Sequence, residues 1–444
     1  MSVFSDLLSY HIHNSGKSKI QIAEAIGMPR TNFQKISTGA RKPQDEHMLE
    51  KIMNELFLSI KEKKELWEAY HKEVTGISLY AEYEQCIRFL ESLKIKENSG
   101  VDASFSSFSI NLKTELTKLV SQTDLTKALL SILQSLKETP HSHLKLLVQP
   151  EHSFLLKLLI PFAKDHPHIK ISHIICFDHH FDQEENYTSK NLQRMIDILG
   201  LMMSSPSYEG LYYYDNNDAH FKEASLFPNC ILTEQYLLVF DPFEEKGFLS
   251  VNQDLNDLYN EKFDKIAEQS ASIFSCHFDQ VNISRNDEVR FVIAYGPCLK
   301  NMKLFNLSSC HFFFTKDGII DFFNSVYNKD DPSHIADARS ILNKMESYIL
   351  SDGRLYILKN SYINCSKEIS FFIGSKAAYI LNQDLSDQQE RVSYQIHEQS
   401  IVESFHRFIK YLPTSIMCYS KTESIAFLEH LFSDLFIDAC PKAD

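Results

Sequence analysis

Apolar residues return every three or four positions through the first seventy residues, then give way near residue 143 to short continuous apolar runs. The first texture is that of helices with one buried face; the second is that of strands covered by other layers. Phe4, Leu7, Leu8 and Ile12 keep helical spacing, as do the stretches Ile20 to Ile26 and Arg30 to Ser37, closed by Gly27 and Gly39. After a polar loop, Arg41 to Glu46, a fourth helix turns Met48, Leu49, Ile52 and Leu56 inward, and a fifth carries Leu66, Trp67 and Tyr70 before Gly76. The pattern predicts an all-α head of five short helices over residues 1–76.

Residues 77–140 keep helical spacing in two stretches, Tyr80 to Leu90 and Leu112 to Leu136, separated by the polar segment Glu97 to Ser107. They read as a helical linker or dimerisation region. Beyond it, Leu144 to Val148, Ile169 to Phe177, Leu211 to Tyr214 and Tyr236 to Phe240 predict strands. Phe154 to Phe162, Leu192 to Met203 and Leu255 to Ala271 predict helices. The expected fold class is therefore α+β, with a mixed α/β body of two modules, 141–282 and 283–444. Two segment pairs share an order of elements: Cys310 to Phe323 with Ile416 to Leu428, and Ile231 to Asp264 with Ile369 to Phe405. A duplicated module would produce this, and so would chance recurrence of a common strand-turn-helix unit.

The chain has 444 residues, more than one core usually serves, with 43% hydrophobic and 23% charged side chains, an ordinary globular balance. Its net charge of -14 argues against nucleic acid until its placement is read. Residues 1–44 hold six basic side chains (Lys17, Lys19, Arg30, Lys35, Arg41, Lys42) against Asp6 and Glu24, so the acidic excess belongs to the remainder. A small basic head on an acidic body can meet phosphate locally while the body resists indiscriminate coating of DNA. No apolar run reaches the roughly 20 residues that a bilayer requires, and the first ten residues lack the layout of a secretory signal. The nine cysteines are scattered without a CxxC pair. A reduced, cytoplasmic protein with no membrane partner is expected.

The informative stretch runs from Lys19 to Pro43. Ala23 supplies the small residue that two steeply crossing helices need at contact, and Gly27 supplies a turn residue tolerant of positive φ. Ile22, Ile26, Phe33 and Ile36 then fall inward, leaving Arg30, Thr31, Asn32, Gln34 and Lys35 on the outer face of the third helix. Such side chains can donate to or accept from base edges in a major groove. The segment resembles the helix-turn-helix of the XRE family, the Cro and lambda-repressor type. The shared pattern is Ile22-Ala23, the turn Gly27, Arg30 to Ile36, the closing Gly39 and the basic loop Arg41-Lys42-Pro43. The resemblance covers about 70 residues. It implies a DNA-binding transcriptional regulator contacting duplex DNA through Lys19, Arg30, Thr31, Asn32, Gln34, Lys35, Arg41 and Lys42. It departs from the family at Lys19, where a glutamine is usual, and at Pro29, where a serine often caps the recognition helix. One head reads one half-site, so a homodimer on a pseudo-palindromic operator is expected, its body sensing a small-molecule or peptide effector.

Rival chemistries find less support. The twelve glycines never fall in G-x-G-x-x-G or G-x-x-x-x-G-K spacing, and no G-x-S-x-G or H-E-x-x-H occurs. The run from His166 to His180 offers His166, His168, His173, Cys176, Asp178, His179 and His180 to a metal, yet strand alternation separates His173 from Cys176. His143-Leu-Lys145 begins like the H-x-K-x(4)-D signature of phospholipase D-like enzymes, with Pro150 in the aspartate's place. Tyr212 to Tyr214 and Phe312 to Phe314 read as strand residues packing a core rather than pocket walls. No catalytic residue, metal ligand or cofactor is expected. The alternative is an enzyme or peptide-binding platform in the body, with the head serving localisation or autoregulation.

Overall fold

A computed structural model describes residues 2–43, 46–93, 115–137, 142–151, 154–178, 190–215, 227–278, 289–295, 310–326, 332–351, 353–382, 392–415 and 417–436. The fold is α+β. The chain divides into two compact units: one holds residues 1–85 with 408–418, and the other holds most of the rest.

The head is all-α: α1 (Val3–Asn14), α2 (Lys19–Ala25), α3 (Arg30–Ser37), α4 (Glu46–Glu55) and α5 (Ile60–Thr75), followed by α6 (Ile77–Ser92). Three of these helices start on a capping box. Ser2 with Ser5, Ser18 with Gln21 and Ser59 with Glu62 each exchange side-chain and backbone bonds across the first turn, satisfying amides that otherwise lack partners. Ile22, Ala23, Ile26, Phe33 and Ile36 are buried with Phe4, Leu8, Leu49, Ile52 and Trp67. Removing a side chain the size of Phe33 from water contributes about 2–3 kcal/mol.

The larger unit is built on two sheets. Its elements are β1 (Leu116–Leu119), α7 (Gln122–Lys137), β2 (His143–Leu147), α8 (Phe154–Asp165), β3 (Lys170–Phe177), α9 (Lys190–Ser204), β4 (Tyr208–Tyr214), β5 (Asn229–Leu232), β6 (Leu237–Phe240), β7 (Gly247–Ser250), α10 (Gln253–Gln269), β8 (Ala271–Ser272) and β9 (Phe274–Phe278). Then come β10 (Val289–Ala294), β11 (His311–Thr315), α11 (Lys316–Val326), α12 (Pro332–Leu350), β12 (Leu355–Leu358), β13 (Ile369–Gly374), β14 (Ala378–Asn382), β15 (Val392–Ile396), α13 (Gln399–Tyr411) and α14 (Lys421–Phe436).

The first sheet has the order β1-β7-β6-β5-β2-β3-β4-β8, and the second the order β9-β15-β14-β13-β10-β11-β12. Apart from β8, which has no counterpart in the second sheet, the two match position by position. Each has three parallel strands (β2, β3, β4; β10, β11, β12), an antiparallel meander beside the first of them (β5 to β7; β13 to β15), and an antiparallel edge strand from earlier in the chain (β1; β9). The two modules thus share one topology. Ile231 to Asp264 and Ile369 to Phe405 do correspond, each closing on a helix with a buried phenylalanine, Phe263 or Phe405. Cys310 to Phe323 and Ile416 to Leu428 do not correspond. The former is the central strand β11 with α11, whereas the latter runs at the sheet edge, where Tyr419 N–H donates to Ile357 O, and continues into α14.

The stretch Leu112 to Leu136, expected as one helix, opens instead with β1, and β1 pairs with β7 in the first sheet. That strand needs partners about 130 positions away, so helical spacing around it masks it. β3 is buried along nearly its whole length, as a central parallel strand covered on both faces should be. Among the described residues no helix is long and apolar enough to cross a membrane.

Candidate nucleic-acid interface

The turn between α2 and α3 is made by backbone bonds that only a left-handed residue allows. Gly27 stands at φ +69°, its N–H donates to Glu24 O at 3.1 Å, and Met28 N–H reaches back to Ala23 O at 2.8 Å. This pair of bonds closes the C-terminal carbonyls of α2 and turns the chain sharply into α3. Pro29 then precedes α3 without a side-chain cap, and Asn32 N–H closes on Pro29 O at 2.9 Å, so the first two amides of the helix, those of Arg30 and Thr31, receive no capping side chain. A helix start of that kind suits an anionic oxygen such as a phosphate.

Phe33 and Ile36 anchor α3 to the head's core, and this orients the opposite face outward. Arg30, Thr31, Gln34 and Lys35 are all exposed there, spaced as two i, i+4 pairs. Asn32 is half-buried, with Arg41 Nη1 donating to its Oδ1 at 3.4 Å, which ties the loop after α3 to the helix itself. Lys19, at the start of α2, is half-buried. Lys42 is exposed but turned toward the end of α5, its Nζ donating to Glu73 O at 2.6 Å. The structure thus gathers Arg30, Thr31, Gln34, Lys35 and Arg41 on one surface and directs Lys42 elsewhere. Lys17, basic but never a site candidate, is held by Glu55 at 2.6 Å and lies over the Phe57 ring.

Sequence reasoning passed over the Ser18–Gln21 capping box, although S-x-x-Q ahead of an apolar run is its signature. It fixes the start of α2, and through the tight turn the setting of α3.

The other candidate chemistries resolve as follows. Both ring nitrogens of buried His173 are engaged, Nδ1 with Tyr208 Oη at 2.8 Å and Nε2 with Val148 O at 2.7 Å, so neither remains for a metal. Burial pushes the Cys176 thiol up to about 12, far from thiolate. His179 and His180 lie outside the described residues, among which no group of three potential ligands could hold a metal ion. His143 Nε2 lies 2.9 Å from Ser172 Oγ, but Ser172 donates its own proton to Glu209 at 2.8 Å and so is not activated by the histidine. Lys145 is paired with Asp264 at 2.7 Å. The cavity beside His143 measures about 20 Å³, room for roughly one water. Phe312 to Phe314 are buried core residues, whereas Tyr212 and Tyr213 are half-buried and Tyr214 is exposed at the strand's end.

No family model matches the chain, and no curated protein matches it. Among solved structures, a phosphatidylserine synthase from Haemophilus influenzae is similar over 72% of this chain and 92% of its own, at 10% identity and a TM-score of 0.23. TrmBL2, an archaeal chromatin protein described as having a novel mode of DNA binding, covers 62% of this chain and 94% of its own, at 12% identity and a TM-score of 0.24. A polyphosphate kinase from Porphyromonas gingivalis covers 72% of this chain and 55% of its own, at 11% identity and a TM-score of 0.22. Likenesses of this extent leave the function to be argued from the chain's own residues.

Proposed function

We propose that the protein is a sequence-specific DNA-binding transcriptional regulator of the helix-turn-helix kind, cytoplasmic, whose acidic body serves as sensor and oligomerisation platform. The observation that supports this reading is the outer face of α3: exposed arginine, threonine, glutamine and lysine on a short helix anchored by Phe33 and Ile36. Arg30 and Gln34 are the side chains assigned to base edges, since an arginine suits guanine and a glutamine suits adenine. Lys35, Arg41, Lys19 and the leading amides of α3 are assigned to phosphates, which fix register without reading sequence. Duplex DNA with a pseudo-palindromic site is the partner, met by two copies of the chain.

Footprinting of the purified protein on the DNA flanking its own gene, at fixed salt, tests the reading. Arg30→Ala and Gln34→Ala are each expected to cost about 1–3 kcal/mol of specific affinity and to relax preference at one base pair per half-site. Lys35→Ala should weaken binding evenly across sequences and lower the salt dependence by about one ion. Unchanged, sequence-specific protection by both the Arg30 and Gln34 variants would falsify the assignment of α3 as reading helix.

A further inference from the structure

Glu398 stands just ahead of α13 and is wholly buried. Its carboxylate accepts from Ile401 N–H at 2.8 Å, from Ser400 Oγ at 2.6 Å and from Tyr214 Oη, and none of these partners is a cation. Tyr214 is the last residue of β4, so an acid of the second module is bonded to a strand end of the first. Ser400 in turn accepts from Asn191 Nδ2 at 3.2 Å, while Asn191 Oδ1 accepts from Arg194 Nη1 at 3.1 Å and from Asp178 N–H at 3.0 Å. Arg194, the fifth residue of α9, is wholly buried, with Nε on Glu151 at 2.7 Å and Nη2 on Asp178 at 3.2 Å. Glu151 follows β2 and Asp178 follows β3, so one connected set of bonds gathers the exits of β2, β3 and β4 and ends on the first turn of α13. The carboxyl ends of parallel strands are where open α/β sheets meet ligands.

The other end of α13 lies among the rings of the head's unit. Residues through Arg407 belong to the sheet unit and Phe408 onward to the head's unit; α6 makes the same passage, with Gln85 the last residue on the head's side. The two helices are joined by rings on both sides of that boundary. Phe405 meets Phe89 with ring centres 5.0 Å apart, and both rings meet Phe371 of β13, at 4.6 and 5.5 Å. Phe408 meets Tyr83 at 5.9 Å, and Tyr411 stacks on Tyr83 at 4.5 Å. Phe405, Phe408 and Tyr411 follow one another at three-residue steps, so a single stripe of α13 makes all of these contacts. The face of α6 that carries Tyr83 and Phe89 is thereby taken up by α13. Tyr411 Oη lies 2.9 Å from Nδ1 of buried His71, and its ring lies 6.4 Å from that of buried Trp67. One unbroken helix of 13 residues, about 20 Å long, thus carries the Glu398 bonds at one end and the Trp67 and His71 contacts at the other.

We infer that α13 is the lever through which the state of the first module's strand ends reaches the head. Its two arrangements are Glu398 bonded to Tyr214 and Ser400, which holds Tyr411 against Trp67 and His71, and Glu398 released, which loosens that hold. Tyr214 is exposed and its hydroxyl has one proton, so any acceptor that takes this proton at the strand end must release Glu398. A hydrogen-bonded helix packed along one stripe shifts as a body, so a displacement at its first turn is felt at its last. The inference deepens the reading of the body as a sensor and rests on it for what the lever transmits, whereas the coupling itself involves no DNA.

Trp67 is the only tryptophan of the chain, so its fluorescence reports the head end of the lever alone. Acrylamide quenching of that fluorescence in the full chain tests the inference. Tyr214→Phe and Ser400→Ala each remove one bond to Glu398 in the sheet unit. Each is expected to raise the quenching constant of Trp67 at least about twofold, the low end of what mutations along a coupled path produce. His173→Asn breaks buried bonds in the same sheet, to Tyr208 and Val148, but lies outside this chain of contacts, and it should leave the quenching as it is. Thermal melting establishes that each variant is folded, and Glu398→Gln stands in for one that is not. Unchanged quenching in either folded variant, or an equal rise with His173→Asn, overturns the inference. The footprint of Arg30→Ala does not enter this measurement, so failure of the lever leaves the DNA-binding reading to its own test, and failure of that reading leaves the quenching result standing.

Discussion

At the scale of single residues, Arg194 shows how far a side chain's role can lie from its sequence neighbourhood. It sits on a helix face that is apolar but for Asn191, and its carboxylate partners are 43 and 16 positions away. A buried cation is tolerated only when fully paired, and removing it takes the nearest positive charge from two half-buried carboxylates, of which Asp178 keeps only Lys190 at 3.7 Å. Arg194→Met, which keeps the volume, is therefore expected to cost about 3–5 kcal/mol in urea unfolding. A cost below about 1 kcal/mol would show that Glu151 and Asp178 recover solvation on their own. Residues that obey periodicity were readable in advance: Ile22, Ala23, Ile26, Phe33 and Ile36 are buried where their spacing put them. What spacing could not reveal is pairing, such as Lys42 with Glu73 or Asn32 with Arg41, because a polar side chain on a helix face carries no mark of which neighbour will claim it.

At the scale of elements, the head's helices were legible because their punctuation is chemical. Gly27 and Gly39 both adopt left-handed backbone, at φ +69° and +75°, where a β-carbon is disfavoured by about 1–2 kcal/mol. The two differ in surroundings. A β-carbon at Gly27 would meet nothing within 4 Å, whereas at Gly39 it would lie 2.9 Å from Ser5 Oγ and 3.1 Å from Ser5 Cβ, beside the capping box of α1. Gly27→Ala should thus cost about 1 kcal/mol and Gly39→Ala about 2–3 kcal/mol, read from thermal melting. The reverse order would mean that the α2–α3 turn is held by more than backbone conformation. β1 is the counterexample to this legibility. Leu116 is exposed and Leu119 buried in a four-residue strand whose stability comes from Gly247 to Ser250, so nothing local distinguishes it from the helical run that follows.

At the scale of the whole molecule, the repeat was half visible, since matching positions in the two modules hold different residues. Strand order survived where side chains did not, and Arg194 against Ile320, the fifth residues of α9 and α11, is the sharpest case. The two compact units share one further property, a buried histidine kept neutral. Burial pulls His71 in the head's unit down to about 3 and His173 in the sheet unit down to about 4, from an ordinary value of 6.5. His143, His166 and His311 are displaced the same way, each chiefly by burial. Above pH 6.5 neither folded nor unfolded chain protonates these rings, so stability there is insensitive to them. As pH falls below 6.5 the unfolded chain takes up protons that the folded chain refuses, and stability declines until the folded values are reached. Each fully refused proton contributes a slope of about 1.4 kcal/mol per pH unit. Urea midpoints should accordingly be flat near neutrality and fall between pH 6.5 and 4.5, before the ordinary carboxylates titrate. His173→Asn should lower stability at pH 7, by loss of the bonds to Tyr208 and Val148, yet flatten that descent. An equally steep descent in the variant would show that His173 is protonated in the folded protein in spite of its burial.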